Sequence, residues 1–578
     1  MASARKIKER PAARVAPRDS SGAWWQYTLA IFAALFVAFQ VYGPTLRAPY
    51  LFDDAYLPFA LPYFGERPLQ AWLAGVRPAL MLGYWMNYQA SGQVTFSYHV
   101  VNVLFHVANA GLMFLIARKM LALAGEINRR TMLAAFAGGV FLLHPVQTES
   151  VAYVASRSEN QSALFYYGAF ALFLYRRNQA VSWRTAAAVF GLFVLAVATK
   201  EHTITLPALL LLTDYFWNPG FSFAGIRRNW RMYVPALAGG AALGIYVAIR
   251  VLTGALSAGF GMKEVAWHEY LFTQLGVFFH YVRLFLLPVN LNIDYDYPFA
   301  RSILDGWTSL WLVLLIGCVA AAWIYRRRYP LAAYGFFTAL ILLLPTSSVL
   351  PIRDPIAERR MYLPMVGYLF IALDILRRVR VKQPALAAGL AGVLILAAAG
   401  TYLRNQVWAG PIPLWEDTVS KSPNKRRPRF QLAFAYYEAG RCADAVREYA
   451  HAAKLEPPDY ELLVDWALAY QCLQQPERAL EKLRQAATTK PGAHVYSTIA
   501  MIHANRREWQ EALTALSTAE KLDPAYATTY VYRGNVYLAT GRALEAVKEF
   551  ERALALEPQN PSARAGLVSA RQAAPAVR

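Results

Sequence analysis

The chain has 578 residues, of which 57% are hydrophobic and only 16% are charged. This composition excludes a single soluble domain, because a chain so long and apolar exceeds what one aqueous core buries. The net charge is +21, but the basic residues form clusters between apolar runs. That arrangement favours membrane topology over nucleic-acid binding, and we find no nucleic-acid-binding motif.

The N-terminal segment, residues 1–22, is basic and rich in Pro, Ala and Ser, which predicts a disordered cytoplasmic tail. The first apolar run, 23–43, begins with Trp24 and Trp25 and has no small-residue cleavage site after it. We therefore expect this run to stay in the protein as a membrane anchor rather than to be removed as a signal peptide.

Two adjacent carboxylates, Asp53 and Asp54, follow this run in an aromatic and proline-rich loop, 44–96. Neighbouring carboxylates repel each other, and a low-dielectric setting raises the pKa of at least one of them. Such a group suits proton abstraction from a hydroxyl. A solvated turn is the alternative interpretation. The pair could hold a divalent metal, but without a dense ligand cluster we predict neither a metal nor any other cofactor.

Further apolar runs, separated by basic clusters, predict a polytopic membrane protein. The positive-inside rule assigns the basic clusters to the cytoplasm and the Asp53–Asp54 loop to the outer side. Because both ends of 252–307 are then outside, the run 267–287 is expected not to cross. The result is eleven spans, with the N-terminus inside and the C-terminus outside. The runs after the first lie near 97–117, 131–144, 161–175, 185–199, 203–217, 232–251, 308–325, 331–345, 362–376 and 384–403.

Polar residues inside the second run recur with helical spacing and share one helix face. We interpret most of them as hydrogen-bonding contacts between helices. They are His99, Asn102, His106 and Asn109.

The unusual charged motifs all fall on the predicted outer side. Arginine or lysine there suits a lipid phosphate, although each pair taken alone is as well explained by a structural ion pair. Their common side predicts one cavity that combines acids for base chemistry with basic groups for phosphate. The residues are His144, Glu149, Arg157, Lys200, Glu201, Arg283, Glu358, Arg359 and Tyr362.

After residue 404 the composition becomes that of a soluble helical domain. Pro457, Pro491, Pro524 and Pro558 recur at spacings of 34, 33 and 34 residues. This period is typical of tetratricopeptide repeats. We predict a linker over 405–424, four repeats over about 425–558, a capping helix over 559–571 and a tail over 572–578. Such a solenoid offers a concave face for a peptide.

Three cysteines are present, Cys318, Cys442 and Cys472. They form neither a disulfide framework nor a metal-binding spacing. Cys442 and Cys472 can pair only if the fold brings them together.

The order of these motifs resembles the transmembrane and tetratricopeptide-repeat-containing O-mannosyltransferases and their bacterial relatives. The motifs are Phe52-Asp53-Asp54, Leu143–Val151, Lys200-Glu201, Leu287–Tyr295 and Ala357-Glu358-Arg359, followed by the repeats. That family is similar to the protein O-mannosyltransferases, which have the type-C glycosyltransferase (GT-C) fold. The resemblance covers about 24–570. It implies an all-α polytopic GT-C domain over 23–404, followed by a soluble α-solenoid.

The resemblance also implies a function. The donor would be a sugar on a polyprenyl phosphate, used from the non-cytoplasmic face, and the sugar would pass with inversion to a Ser or Thr hydroxyl of a protein. An acidic residue of the first outer loop would act as the base, with Asp54 favoured and Asp53 second. The implied phosphate-binding residues are Arg157, Lys200, Arg359 and Arg283, supported by Glu149, Glu201, Glu358, His144 and Tyr362.

The sugar and the acceptor are left open, because the repeat array is shorter than in human-type relatives and bacterial relatives transfer other sugars, including pentoses. We expect a bacterial inner membrane, with the site and the repeats on the periplasmic side. The expected partners are a polyprenyl-phosphate-linked sugar, membrane lipid and an acceptor such as a pilin or other surface protein, bound through the repeats, but no nucleic acid. The alternatives are a transporter or flippase of lipid-linked sugar, which usually shows internal symmetry, and a membrane-anchored repeat scaffold.

Overall fold

The structure is a computed structural model that describes residues 24–61, 64–177, 180–254 and 265–574. The predicted disordered tail, 1–22, lies outside the described residues. Within the described part all regular structure is helical and no β-strand occurs, so the prediction of an all-α chain is confirmed. The helices form a long N-terminal part up to residue 407 and a repeat array after it.

The N-terminal part contains sixteen α-helices among the described residues. They are α1 (Trp24–Val41), α2 (Leu69–Leu73), α3 (Pro78–Ser91), α4 (Thr95–Leu123), α5 (Arg130–Leu143), α6 (Thr148–Ala152), α7 (Arg157–Arg176), α8 (Trp183–Val197), α9 (Leu206–Trp217), α10 (Ala224–Arg228), α11 (Trp230–Gly254), α12 (Trp267–Leu286), α13 (Thr308–Ile324), α14 (Pro330–Leu343), α15 (Met365–Leu376) and α16 (Gln383–Val407). Short 3-10 helices over Phe52–Tyr56, Val154–Ser156, Glu201–Thr205 and Glu358–Met361 lie in the connections that carry the charged motifs.

The described helices include fewer membrane spans than predicted. Four helices are long and apolar enough to cross a membrane, or five if the bent pair Arg130–Leu143 and Pro145–Ala152 forms one span. The prediction of about eleven spans is therefore not confirmed. Several predicted runs form helices such as α8, α14 and α15, which have 15, 14 and 12 residues. A straight span needs about 20 residues. The four long helices are Trp24–Val41, Thr95–Leu123, Thr308–Arg327 and Gln383–Val407.

The N-terminal part shows the surface and packing of a membrane protein. Val313 and Ile316 of α13 are 64% and 58% exposed, and such an apolar surface is stable in lipid rather than in water. Helices α14 and α15 cross at Gly335 and Gly367. A Cβ atom on either glycine would lie 2.5 Å from the carbonyl oxygen of the other. Small residues at this crossing thus let two short helices approach closely.

The C-terminal part consists of four antiparallel helix pairs after one connecting helix, α17 (Pro411–Lys421). The pairs are α18 (Arg426–Glu438) with α19 (Cys442–Leu455), α20 (Tyr460–Cys472) with α21 (Pro476–Thr489), α22 (Ala493–Asn505) with α23 (Trp509–Leu522), and α24 (Ala527–Ala539) with α25 (Ala543–Leu556); α26 (Pro561–Ala573) packs on the last pair. The buried alanines Ala445, Ala479, Ala512 and Ala546 repeat at one position of the second helices, where small side chains let the paired helices pack closely.

One hydrophobic cluster joins the two parts. Leu51 and Tyr153 of the N-terminal loops pack in the same cluster as Trp408, Trp415 and Leu432 of the C-terminal part. The first repeat is therefore held against the loop that carries the two aspartates.

Candidate active site

The loop that carries Asp53 and Asp54 has a strained backbone. Phe52 adopts a φ of 47°, which costs free energy for a residue with a bulky side chain. Strained backbone conformations of this kind are concentrated at functional sites. Its ring packs edge to face on Trp415, with ring centroids 5.3 Å apart. The connecting helix α17, which carries Trp415, thus helps to hold this strained loop in place.

The two aspartates have different surroundings. Asp54 is 1% exposed, and its carboxylate accepts hydrogen bonds from the backbone N–H groups of Leu51 at 3.1 Å and Ala155 at 2.6 Å. Burial raises the pKa of Asp54 to about 7, against the lowering effect of these hydrogen bonds. Asp53 is exposed. Asp54 therefore closes the loop onto the chain around residue 155, while the side chain of Asp53 stays exposed and is hydrogen-bonded to Tyr153.

Tyr153 connects the aspartates to a group of basic residues. Its hydroxyl oxygen accepts a hydrogen bond from the backbone N–H of Asp53 at 2.9 Å. Burial, together with the charges of Asp54 and Asp53, raises the pKa of Tyr153 well above its usual value, while the charge of Arg359 lowers it. The Tyr153 side chain is thus a neutral hydroxyl between the acidic loop and Arg359.

Three ion pairs from distant parts of the chain lie near one another, and the charge of one of their cations, Arg359, acts on this tyrosine. Arg359 pairs with Glu149, and its backbone N–H donates to the same carboxylate at 2.9 Å. Lys200 pairs with Glu159. The guanidinium of Arg77 donates two hydrogen bonds of 2.8 Å to Glu201. The side chains of Arg359, Lys200 and Arg77 stay 26%, 16% and 40% exposed, so each of the three cations remains partly accessible to solvent.

The three cations share one electrostatic environment. Burial lowers the pKa of Lys200; Glu159 raises it, and the positive charges of Arg77 and Arg359 lower it further. Like charges that influence one another in this way cost free energy, and a bound anion relieves that cost. We call Arg77, Lys200 and Arg359 the cation cluster.

Arg157 is fully buried and holds helices together. It donates to the side chains of Asn102 at 2.8 Å and Asn87 at 2.9 Å. Its guanidinium also lies 4.7 Å from the ring centroid of Tyr84. The sequence predicts that Arg157 binds phosphate, but most of its guanidinium N–H groups donate hydrogen bonds to the helices around the site.

The other predicted site residues also have partners within the protein. His144 hydrogen-bonds the carbonyl of Phe285 at 3.0 Å. The hydroxyl of Tyr362 lies 2.8 Å from His106 and accepts from Asn109 at 3.0 Å. These hydrogen bonds hold helices and loops of the protein together.

Two further predicted residues lie beside different neighbours from those that we expected. Glu358 is buried; it accepts hydrogen bonds from the hydroxyl of Tyr295 at 2.7 Å and from the backbone N–H of Asn292. Arg283 lies 3.4 Å from His280 on α12. Among the described residues, Arg283 makes no hydrogen bond or ion pair with the cation cluster.

Arg77 and Glu159 were not singled out from the sequence. Arg77 directly precedes Pro78 at the start of α3, and Glu159 lies in the first turn of α7. A signal existed for Glu159 alone, because it follows Arg157 by two residues in the same polar segment. Among the described residues, no group of three His, Cys, Asp or Glu side chains is arranged to hold a metal ion.

The comparisons with known proteins support the resemblance. The tetratricopeptide repeat family matches residues 527–560. Protein O-mannosyl-transferase F38B6.6 of Caenorhabditis elegans is 23% identical over 391 residues, which cover 66% of this chain and 54% of that protein. Protein O-mannosyl-transferase TMTC3 of Mus musculus is 22% identical over 537 residues, which cover 84% of this chain and 57% of the relative.

The chain spans about half the length of the curated relatives it matches. Among solved structures, the crystal structure of MamA is 21% identical, covers 26% of this chain and 87% of its own, and gives a TM-score of 0.24. The resemblance predicted from the motifs is confirmed by the curated relatives: this chain is a homologue of the transmembrane and tetratricopeptide-repeat-containing protein O-mannosyl-transferases.

Proposed function

We propose that this protein is a membrane glycosyltransferase that moves a sugar from a polyprenyl phosphate to a Ser or Thr hydroxyl of a protein, with inversion, on the non-cytoplasmic face. The observation that carries this proposal is the exposed Asp53, on a strained loop, connected through Tyr153 to the cation cluster. In one displacement reaction, the acid suits the role of the base for the acceptor hydroxyl, and the cations suit the leaving phosphate.

Asp53 is the better candidate for the base. A general base must reach the proton that it takes, so geometry is considered before pKa. Burial raises the pKa of Asp54 to about 7, but both of its oxygens accept backbone hydrogen bonds. Asp53 carries an exposed carboxylate, which has a side-chain hydrogen bond with Tyr153 and, among the described residues, no backbone hydrogen bond of the kind that holds Asp54. Asp54 then acts as a positioning residue for the loop of Asp53.

The cation cluster supplies the complementary half of the reaction. Charge develops on the polyprenyl phosphate as it leaves, and fixed Arg and Lys groups stabilise that charge in a site of low dielectric constant. Arg359 and Lys200 keep their carboxylate partners, Glu149 and Glu159, so their positions are fixed before the donor binds. Preorganisation of this kind lowers the barrier without a reorganisation cost.

The chemical step follows from these positions. The acceptor hydroxyl gives its proton to Asp53, and its oxygen forms a bond to the anomeric carbon of the sugar. The bond between that carbon and the phosphate oxygen breaks, and the electron pair leaves with the phosphate. One displacement with the base and the leaving group on opposite faces inverts the anomeric carbon.

A disulfide supports the assignment of the repeats to the non-cytoplasmic side. Cys442 at the start of α19 is bonded to Cys472 at the end of α20, with Cα atoms 6.0 Å apart. Disulfides persist in oxidising compartments such as the periplasm. In intact cells, we expect a thiol-reactive label to reach these two cysteines only after reduction. Labelling of both without reductant contradicts this orientation.

The transfer reaction is tested with the purified full chain, polyprenyl-phosphate mannose and a Ser-containing peptide. Mannose is the first sugar to try because the relatives are named O-mannosyl-transferases; pentose donors form a second arm. We expect a product with the mass of peptide plus sugar. Asp53→Asn should reduce its rate by about 10³-fold, within the range for loss of a general base. Full activity in Asp53→Asn contradicts the assignment of the base.

Four strains should also be compared in cells: the wild type, a deletion strain, Asp53→Asn and Asp54→Asn. Intact-mass measurement of secreted and surface proteins identifies an acceptor that loses a discrete sugar mass in the deletion and in Asp53→Asn. If no protein changes mass in any strain, protein glycosylation is the wrong function.

A further inference from the structure

A cleft of about 410 Å³ lies between the first two repeats and two loops of the N-terminal part. One wall is formed by the loops 296–299 and 353–355, and the other by the starts of α18 and α20. The aromatic side chains of Tyr297, Phe299 and Phe430 line it together with charged groups. A cleft of this size is too small for a folded domain and is suited to a short extended segment of polypeptide.

Arg427 connects this cleft directly to the acidic loop. Its guanidinium donates to Asp294 at 2.6 Å and to Asp354 at 2.8 Å, and it lies 5.8 Å from the ring centroid of Phe52. Phe52 is the strained residue immediately before Asp53. A chain bound in the cleft therefore passes beside the loop of the proposed base.

Three of the four basic residues that line the cleft pair with carboxylates, and Arg353 is the fourth basic residue. Arg426 pairs with Asp459 at 2.5 Å, and Lys425 and Arg427 both pair with Asp294. These side chains stabilise the junction between the repeats and the loops.

Two exposed acids of the same cleft lack such a partner. The side chains of Asp296 and Glu461 form no ion pair among the residues that the structure describes. The open charge of the cleft is therefore negative, and it complements a positive ligand.

We propose that this cleft binds the acceptor polypeptide in an extended form, and that a Lys or Arg beside the acceptor Ser or Thr pairs with Asp296 and Glu461. The identity of the occupant as the acceptor rests on the proposed function. The preference for a basic segment rests on the cleft alone and is measured without any sugar transfer.

The test uses the purified full chain and three fluorescein-labelled peptides that share one Ser-containing core, flanked by Lys, by Gln or by Glu. Fluorescence anisotropy should show the tightest binding for the Lys-flanked peptide. The double variant Asp296→Lys, Glu461→Lys should weaken that peptide by about 10-fold or more and favour the Glu-flanked one. The matched control is Glu481→Lys on α21, an exposed site that does not line the cleft.

Equal binding of the three peptides, absence of binding, or an unchanged order in the double variant each overturns the inference. Both altered residues are exposed, and an unchanged melting temperature shows that the variant is folded. The failure of the proposed function is a separate result. In that case the Lys-flanked peptide binds as expected but receives no sugar from any donor. Conversely, sugar transfer that does not depend on the flanking charge refutes the inference about the cleft and leaves the proposed function intact.

Discussion

The two ends of α7 carry buried charged side chains with different surroundings. The helix has 20 residues, so its ends are about 30 Å apart. At the C-terminal end, Arg177 and Asp214 form an ion pair of 2.9 Å in which both side chains are almost fully buried, and Tyr233 donates to the same carboxylate. At the N-terminal end, Glu159 pairs with Lys200, which stays partly exposed.

This difference separates a structural ion pair from a candidate site. At the Arg177 end, the charges are satisfied by each other, and breaking such a pair leaves an uncompensated buried charge. At the Glu159 end, three cations lie close enough to influence one another, stay partly exposed, and lie near a strained acidic loop. Burial of a charged side chain therefore does not identify a functional site by itself. Charged side chains that stay partly exposed near a strained backbone are the better indication.

The largest effect on stability is expected at the Arg177 end. Arg177→Gln leaves Asp214 charged and buried, which should lower the free energy of unfolding by about 3–5 kcal/mol. Sugar transfer per folded molecule should not change, because this end is far from Asp53. Thermal melting of the purified chain measures the loss, and the exposed neighbour Arg176→Gln is the matched control. Equal melting temperatures of the two variants contradict the structural role of the Arg177–Asp214 ion pair.

At the opposite end, Arg359→Gln should reduce the rate of transfer by about 100-fold, equivalent to about 2.7 kcal/mol, because the leaving phosphate loses a fixed positive charge. The single variant also leaves Glu149 unpaired in a buried position. The double variant Arg359→Gln, Glu149→Gln removes that charge. We expect its melting temperature to recover while its activity stays low; recovery of both indicates that Arg359 has only a structural role.

A smaller effect is expected at Asp54. Asp54→Asn replaces one of the two oxygens that accept backbone N–H groups, so it should cost about 1–3 kcal/mol of stability. Transfer should fall less than in Asp53→Asn, because only the position of the loop changes. Melting curves and transfer rates of the two variants are compared directly. A larger loss of transfer in Asp54→Asn reverses the assignment of base and positioning residue.

The smallest effect concerns pH. Burial raises the pKa of Glu358 above its usual value, so its contribution to stability is present at low pH and is lost as the pH rises through the raised pKa. Glu358→Gln keeps the neutral form at every pH. Between about pH 5 and 8, the melting temperature of the wild type should therefore fall more steeply than that of the variant. Parallel curves contradict a buried, protonated Glu358.

The sequence predicted the repeat array well because its cause is local. Prolines and alanines at a fixed period specify helix ends and close helix contacts, and each repeat contacts mainly its neighbours. The membrane part was harder. Hydropathy marked the apolar runs, but the number of spans depends on helix lengths, and these are set by tertiary packing such as the Gly335–Gly367 crossing.

The candidate site shows the same division. The acidic pair and the residues Lys200, Glu149 and Arg359 were recognisable from their types and from the motif order. Their pairing was not: Glu201 pairs with Arg77 rather than Lys200, across 124 residues. Arg157, although conspicuous in the sequence, is enclosed by Asn87 and Asn102. Partners this far apart in the chain follow from the fold and not from spacing.

The sequence by itself determined the all-helical class, the repeats and the resemblance to the O-mannosyl-transferases, since these depend on composition, period and motif order. Tertiary structure decided which aspartate is open and which is tied down, which cations converge, and where the first repeats meet the acidic loop. The physical reason is that exposure and electrostatic coupling belong to atoms brought together in space. A sequence specifies that proximity only through the complete fold.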